Sequence, residues 1–253
     1  MESWIDFGRG PLFRIAFSLM LLGLLRIFVN TIIGVVEAYR RSPDKIINWR
    51  EVRRQTVAWI FPIGRLWRAR PLYSTLSLLF HIGLLLVPVF LAAHLLLWKL
   101  SVGLSWRAFP QKISNDLTLL VIVTGIGLFL GRVADADSRK LSRWQDIVWP
   151  PLLIVPFITG YICSNLPVGP SGYQALMLLH VFTADLIMVL IPFTKIAHCV
   201  LTPLSQIVTA VSWKFPAGAG DRVAATLGYA DLPVWLKDSR LSPPPQADEV
   251  VAQ

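Results

Sequence analysis

Along this chain, charged and polar positions thin out five times for roughly 20 residues at a stretch, at about 12–36, 73–98, 114–131, 147–164 and 173–200, the last continuing towards 211. At a rise of about 1.5 Å per residue, about 20 apolar residues cross the roughly 30 Å of hydrocarbon in a bilayer. The pattern therefore predicts an all-α integral membrane protein, a five-transmembrane-helix bundle over residues 1–213 followed by a polar, Pro-containing tail over 214–253. That tail, ending "SPPPQADEVVAQ", either meets a partner or stays mobile. The first apolar segment is too long for a signal-peptide core, and no small-residue cleavage site follows it, so it is expected to stay in the mature protein.

Between the first two segments lies a long basic stretch, "RRSPDKIINWREVRRQTVAWIFPIGRLWRAR". Ile46, Ile47, Val52 and Val57 alternate there with arginines, predicting an amphipathic helix lying on the membrane surface or docking a cytoplasmic partner. Lys and Arg also give an orientation. The first loop carries Arg40, Arg41, Lys45, Arg50, Arg53, Arg54, Arg65, Arg68 and Arg70, and the third carries Arg132, Arg139, Lys140 and Arg143. The second has Lys99, Arg107 and Lys112, and the fourth, "SNLPVGPSGY", has none. Positive loops stay inside, so the N-terminus is expected outside and the C-terminus in the cytoplasm. Trp4, Trp67, Trp98, Trp149 and Trp213 fall near segment ends, as in an interfacial aromatic belt.

Composition agrees with a bilayer: 55% of residues are hydrophobic and 15% charged, against about 45–50% and about 25% in soluble domains. The net charge of +9 belongs to loops flanking the spans, which makes membrane lipid headgroups its expected partners rather than nucleic acid.

Chemistry concentrates in histidine. The two cysteines, Cys163 and Cys199, form neither a covalent-haem motif nor a zinc or iron–sulfur spacing, and no Ser/His/Asp arrangement or Gly-rich phosphate loop stands out. All four histidines fall in two predicted spans, His81 and His94 on the second, His180 and His198 on the fifth. Antiparallel spans then give two levels, His94 facing His180 and His81 facing His198. Each level offers two imidazoles, the axial ligand set of a b-type haem. In a straight helix His180 and His198 lie five turns and about 27 Å apart on one face. His81 and His94 are off by a large rotation, which Pro88 between them is expected to correct by kinking the helix.

The stretches "DFGRGPLFRIAFSLMLLGLLR", "FHIGLLLVPVFLAAHLLLW", "LSRWQDIVWPPLLIVPFITGY" and "HVFTADLIMVLIPFTKIAHCV" together make the chain resemble the five-helix dihaem cytochrome b family. That family includes the gamma subunit of respiratory nitrate reductases and related membrane subunits of heterodisulfide-reductase-like and sulfate-reducer electron-transfer complexes. The resemblance implies two non-covalent haem b groups with His81, His94, His180 and His198 as axial ligands. It further implies a multi-pass electron-transfer subunit in a bacterial or archaeal cytoplasmic membrane, linking menaquinone or ubiquinone to a cytoplasmic iron–sulfur or other redox subunit. The quinone site would lie near the outer haem, with Lys112, or else Lys99, as its lysine, although both residues also suit headgroup anchoring.

Other membrane-depth charges allow two readings each. Arg26 is a haem-propionate partner and Asp185 a proton acceptor, or the two neutralise each other as a buried pair. Thr194 and Lys195 bind propionates of the inner haem, or Lys195 snorkels to the surface; Arg132 has the same choice. Cys199 is expected to be a packing residue. A competing function is an intramembrane His/Asp proton relay in a transporter or channel, although no internal inverted repeat accompanies it.

Overall fold

The computed structural model describes residues 1–43, 45–61, 68, 70–212 and 219–226; Arg65, Trp67, Trp213 and most of the tail lie outside them. Among the described residues the chain is all helical, with five helices long and apolar enough to cross a membrane.

The first span is one continuous helix over Glu2–Arg41, longer than the sequence pattern indicated. It comprises α1 (Glu2–Phe7), a π-helical turn (Gly8–Leu12) and α2 (Phe13–Arg41). Pro11 sits in the widened turn, which relieves the clash and the lost donor that a proline brings to an α-helix. The helix stops where Ser42 turns extended (φ −71°, ψ 136°), the conformation that the following Pro43 favours in its neighbour.

In the basic loop, α3 covers only Trp49–Ile60, with the Asn48 side chain accepting from the Glu51 N–H (3.1 Å) as its N-cap. Ile46 and Ile47 precede the helix and Val57 is exposed, so the expected amphipathic face is differently composed.

The second span is not one helix. It divides into α4 (Pro71–Phe90) and α5 (Ala92–Val102) at Leu91, which is extended (φ −68°, ψ 132°). Such a break orphans the carbonyls of Pro88, Val89 and Phe90, and all three find replacements: Trp98 Nε1 (3.3 Å), Trp106 Nε1 (3.0 Å) and the Phe109 N–H (3.0 Å). Trp98 thus serves the break.

Next come α6 (Gln111–Ala134), the short α7 (Ala136–Leu141), α8 (Trp144–Asn165) and α9 (Pro170–Leu190). Asp135 caps α7 by accepting from the Ser138 N–H (3.1 Å), and the bonds from Ser138 hold its carboxyl below the usual carboxylate range. Trp149 is buried on α8, not placed in an interfacial belt.

The expected long fifth helix is also interrupted. After α9 come two 3-10 turns, Ile191–Phe193 and Lys195–Ala197, hinged at an extended Thr194 (φ −131°, ψ 178°), and then α10 (His198–Ser212). Pro192 removes one helical donor, and the Thr194 hydroxyl donates to the Leu190 carbonyl (3.0 Å) that the break frees. A short helix, α11 (Ala219–Thr226), follows.

The spans pack in sequence: α4 on α6, α6 on α8, α8 on α9, and α9 on α2. Phe80 and Val87 of α4, Val121 of α6, and Ile154 and Phe157 of α8 form the apolar core. Trp98 of α5 meets the rings of Phe13 and Phe17 of α2 edge-on at 5.9 and 5.0 Å, which closes the bundle. The helices that carry the histidines, α4 and α5 against α9, make at most glancing backbone contact. Only their side chains meet.

Candidate paired-imidazole sites

The structure sets His94 against His180 and His81 against His198, with ring centroids 6.0 Å apart in both pairs. The helix breaks are what aim them. In a continuous helix the thirteen-residue step from His81 to His94 leaves the rings about 140° apart in azimuth; the extended Leu91 resets that phase. His94 therefore lies on α5, past the end of the long apolar helix Pro71–Phe90. His198 is likewise not in the fifth apolar span, which ends at Phe193, but is the first residue of α10. The five-turn periodicity from His180 to His198 does not operate, because Pro192 and the extended Thr194 interrupt the helix between them.

The 6.0 Å separation can be compared with the alternatives. Two imidazoles on opposite sides of a metal, each at about 2.0 Å and with ring nitrogens about 1.1 Å from the centroid, place their centroids about 6.2 Å apart. A direct in-line N–H···N bond of about 2.9 Å would bring them to about 5.1 Å. Simple ring packing covers about 4.5–7 Å and does not discriminate. The second nitrogen of each ring adds information. His81 Nδ1 faces the Ser77 carbonyl (2.7 Å), His180 Nδ1 the Pro156 carbonyl (2.8 Å) and His198 Nδ1 the Lys195 carbonyl (2.9 Å). A carbonyl oxygen can only accept, so each of these rings donates from Nδ1, and its neutral form is the tautomer with the lone pair on Nε2, that of a metal-ligating histidine. The bonds of His81 and His198 are within their own helical turns, which would also satisfy an ordinary histidine; the bond of His180 crosses from α9 to α8. His94 Nδ1 is buried with no partner among the described residues.

Gly160 completes the His94/His180 site. A Cβ there would lie 3.0 Å from His180 Cε1 and 3.2 Å from Nδ1, so glycine lets the α8 backbone approach the ring without the shift of a few tenths of an ångström that a side chain would force. Among the described residues no cluster of three or more His, Cys, Asp or Glu side chains surrounds a metal position. Each pair could hold a metal between two imidazoles alone, the ligand number of a bis-imidazole haem.

The remaining sequence candidates separate. Arg132 and Lys195 converge on Asp146, at 3.7 and 2.5 Å, and Arg132 also reaches Ser142 and Tyr73. Lys195 thereby joins two tasks: its side chain is anchored to α8 and its carbonyl orients His198. The Thr194 hydroxyl is engaged with backbone. Arg26 is exposed on α2 and Asp185 is buried at 3% exposure with Oδ2 unpartnered. The pair reading for these two is therefore overturned: equal depth in the sequence did not give a shared face. Lys99 and Lys112 are both exposed, at the ends of α5 and α6 that flank the same loop.

Sequence reading missed a cleft of about 420 Å³ where α1 meets the start of α9, lined by Glu2, Asp6, Arg9, Tyr173, Gln174 and Met177 among others. Met177 lies one helical turn before His180. The charged residues of "ESWIDFGRG" were its only sequence signal, and they precede the first expected span.

No family model matches this chain, and no solved structure does. A protein of Nitratidesulfovibrio vulgaris, whose name states no activity, is 29% identical over 220 residues, covering 85% of this chain and 96% of its own length.

Proposed function

We propose that this chain is a membrane-embedded dihaem cytochrome of b type, similar to the gamma subunit of respiratory nitrate reductases, that passes electrons between a quinone pool and a partner redox subunit. The observation that carries the reading is the repetition, at two depths, of facing imidazoles 6.0 Å apart on helices that do not otherwise pack together. His94 and His180 would hold one haem and His81 and His198 the other. Haem, when bound, supplies a one-electron iron centre at each level. The chain's own part is to fix ring tautomer and direction through the carbonyls of Ser77, Pro156 and Lys195, to exclude water with the core of α4, α6 and α8, and to space the two centres.

Lys and Arg asymmetry supports an outer N-terminus and a cytoplasmic C-terminus, in a bacterial or archaeal cytoplasmic membrane. The His94/His180 level is then the outer one and the quinone site lies beside it. Quinol gives up two protons with its two electrons, and two places offer polar groups for it: Lys112 or Lys99, and the cleft with Glu2 and Asp6. The cytoplasmic partner would be an iron–sulfur or similar redox protein docking near the His81/His198 level. Lys195 and Arg132, already sharing Asp146, are available there for haem propionates.

The test is a haem count. Purified full-length protein is expected to be red, with a b-type reduced-minus-oxidised band and two extractable haems per chain. His94→Ala or His180→Ala should remove one, and His81→Ala with His198→Ala should remove the other. A colourless protein, or a haem content indifferent to all four histidines, overturns the reading.

A second reading, the His/Asp proton relay, is favoured by Asp185, a buried carboxyl with an unpartnered oxygen in a membrane span. It expects a haem-free protein that carries protons across vesicles in an Asp185-dependent way.

A further inference from the structure

The helix α3 presents two faces with different tasks. Glu51, Val52, Gln55 and Thr56 are half-buried on the stripe that packs on α10. On the opposite side Arg50, Arg53, Arg54 and Val57 are exposed and line a concavity of about 410 Å³. Arg54 is already committed, donating to both carboxylate oxygens of Glu51 (2.8 and 2.6 Å), and it holds that carboxyl down to about 2. Arg50 and Arg53 make no hydrogen bond or ion pair with a described residue.

From this face we infer a binding site for the phosphate of an anionic phospholipid headgroup, gripped by Arg50 and Arg53 with Arg54 at its edge. Guanidinium groups bind phosphate oxygens bidentately, and two uncommitted forks one helical turn apart on a shallow concavity suit a single phosphodiester. Two observations favour lipid over an acidic protein surface. Trp49, Arg53, Val57 and Ile60 follow one stripe at i, i+4, i+8 and i+11, so apolar side chains accompany the cations, as on helices that lie in a headgroup layer. Moreover, α3 rests on α10, which starts five residues past the end of the fifth apolar span, at the height where the bundle leaves hydrocarbon. The inference does not depend on haem.

The experiment is native mass spectrometry of the full-length protein in micelles containing equal phosphatidylglycerol and phosphatidylcholine. Wild type should retain phosphatidylglycerol selectively. Each basic residue near an anionic surface is worth about 5-fold, so Arg50→Gln with Arg53→Gln should lower that enrichment about 30-fold. Arg107→Gln with Lys140→Gln, the same charge loss elsewhere, should leave it intact, and circular dichroism should show equal helix content in all three. No enrichment in wild type, equal loss in both double variants, or elimination by millimolar inorganic phosphate, which would make free phosphate the ligand, overturns the inference. So does a variant that keeps its lipid but loses an acidic co-purifying protein.

Discussion

The two imidazole pairs share a 6.0 Å separation but are built by different means. At the His94/His180 level the rings are 20° from parallel, and one is braced by a neighbouring helix through the Pro156 carbonyl and the missing side chain of Gly160. At the His81/His198 level the rings are 83° apart, His198 is exposed at a helix start, and its bracing runs through Lys195 to an ionic cluster on Asp146. One level is fixed by packing and the other by charge. The proposed axial ligation would leave the angle between rings free, so both pairs could serve the same chemistry while responding to different substitutions.

The largest effect expected from exploiting that difference is at Gly160. In Gly160→Leu the new side chain occupies the position of the His180 ring, so the outer haem should be lost, with overpacking costing about 1–3 kcal/mol of stability. The inner haem should remain, giving one haem per chain. Retention of both haems at full occupancy would show that close approach of α8 is not what positions His180.

Next is Pro88→Ala, which tests the phase reset. Restoring a donor at position 88 favours a continuous helix through Leu91 and would turn His94 away from His180, against the three bonds that now hold the break open. Partial loss of the outer haem, with a shifted absorption band and an unchanged inner one, is the expected spectroscopic result. An unaltered spectrum would mean that the Trp98, Trp106 and Phe109 bonds alone maintain the break.

These two cases also mark how far the sequence could be read. Five spans follow from the length of the apolar segments, a local property. Which imidazoles meet was legible because the order of the histidines on antiparallel elements fixes their depths. The breaks were only half visible: Pro88 and Pro192 announce trouble, but the position of each break depends on who satisfies the freed carbonyls. At the first break the carbonyls are met by donors from Trp106 and Phe109 in the following loop, and at the second Gln145 accepts from the freed Lys195 N–H (3.2 Å). The Arg26–Asp185 pair failed for a related reason, since depth can be counted along a sequence whereas azimuth depends on packing. Gly160 had no signal at all until the ring beside it was known.

The inner level should answer to Asp146→Asn, which removes one negative charge and keeps hydrogen-bonding capacity. A single charge at a partly exposed site is worth about 1 kcal/mol, or about 40 mV for a one-electron centre. The inner midpoint potential should rise by that order, because a less negative surrounding favours the reduced form, and the outer potential should not move. Equal shifts of both potentials would mean that the charge acts over the whole bundle, erasing the contrast drawn between the levels.

The smallest effect concerns Asp185, which lies on α9 between its two neighbours in sequence, His180 and His198, and belongs to neither bracing system. An unpartnered buried polar group costs about 1–3 kcal/mol, and replacing it with an apolar group of similar size is commonly neutral or stabilising. Asp185→Leu is therefore expected to keep both haems and both potentials, with thermal stability equal to or slightly above wild type. If the carboxyl instead carries protons, the same variant would be as stable yet lose proton movement in vesicles, so stability and flux measured on one protein discriminate. A clear loss of stability would point to a third situation, in which Asp185 has a hydrogen-bond partner supplied by bound cofactor or lipid, and its orphaned oxygen would then mark a contact of the assembled protein.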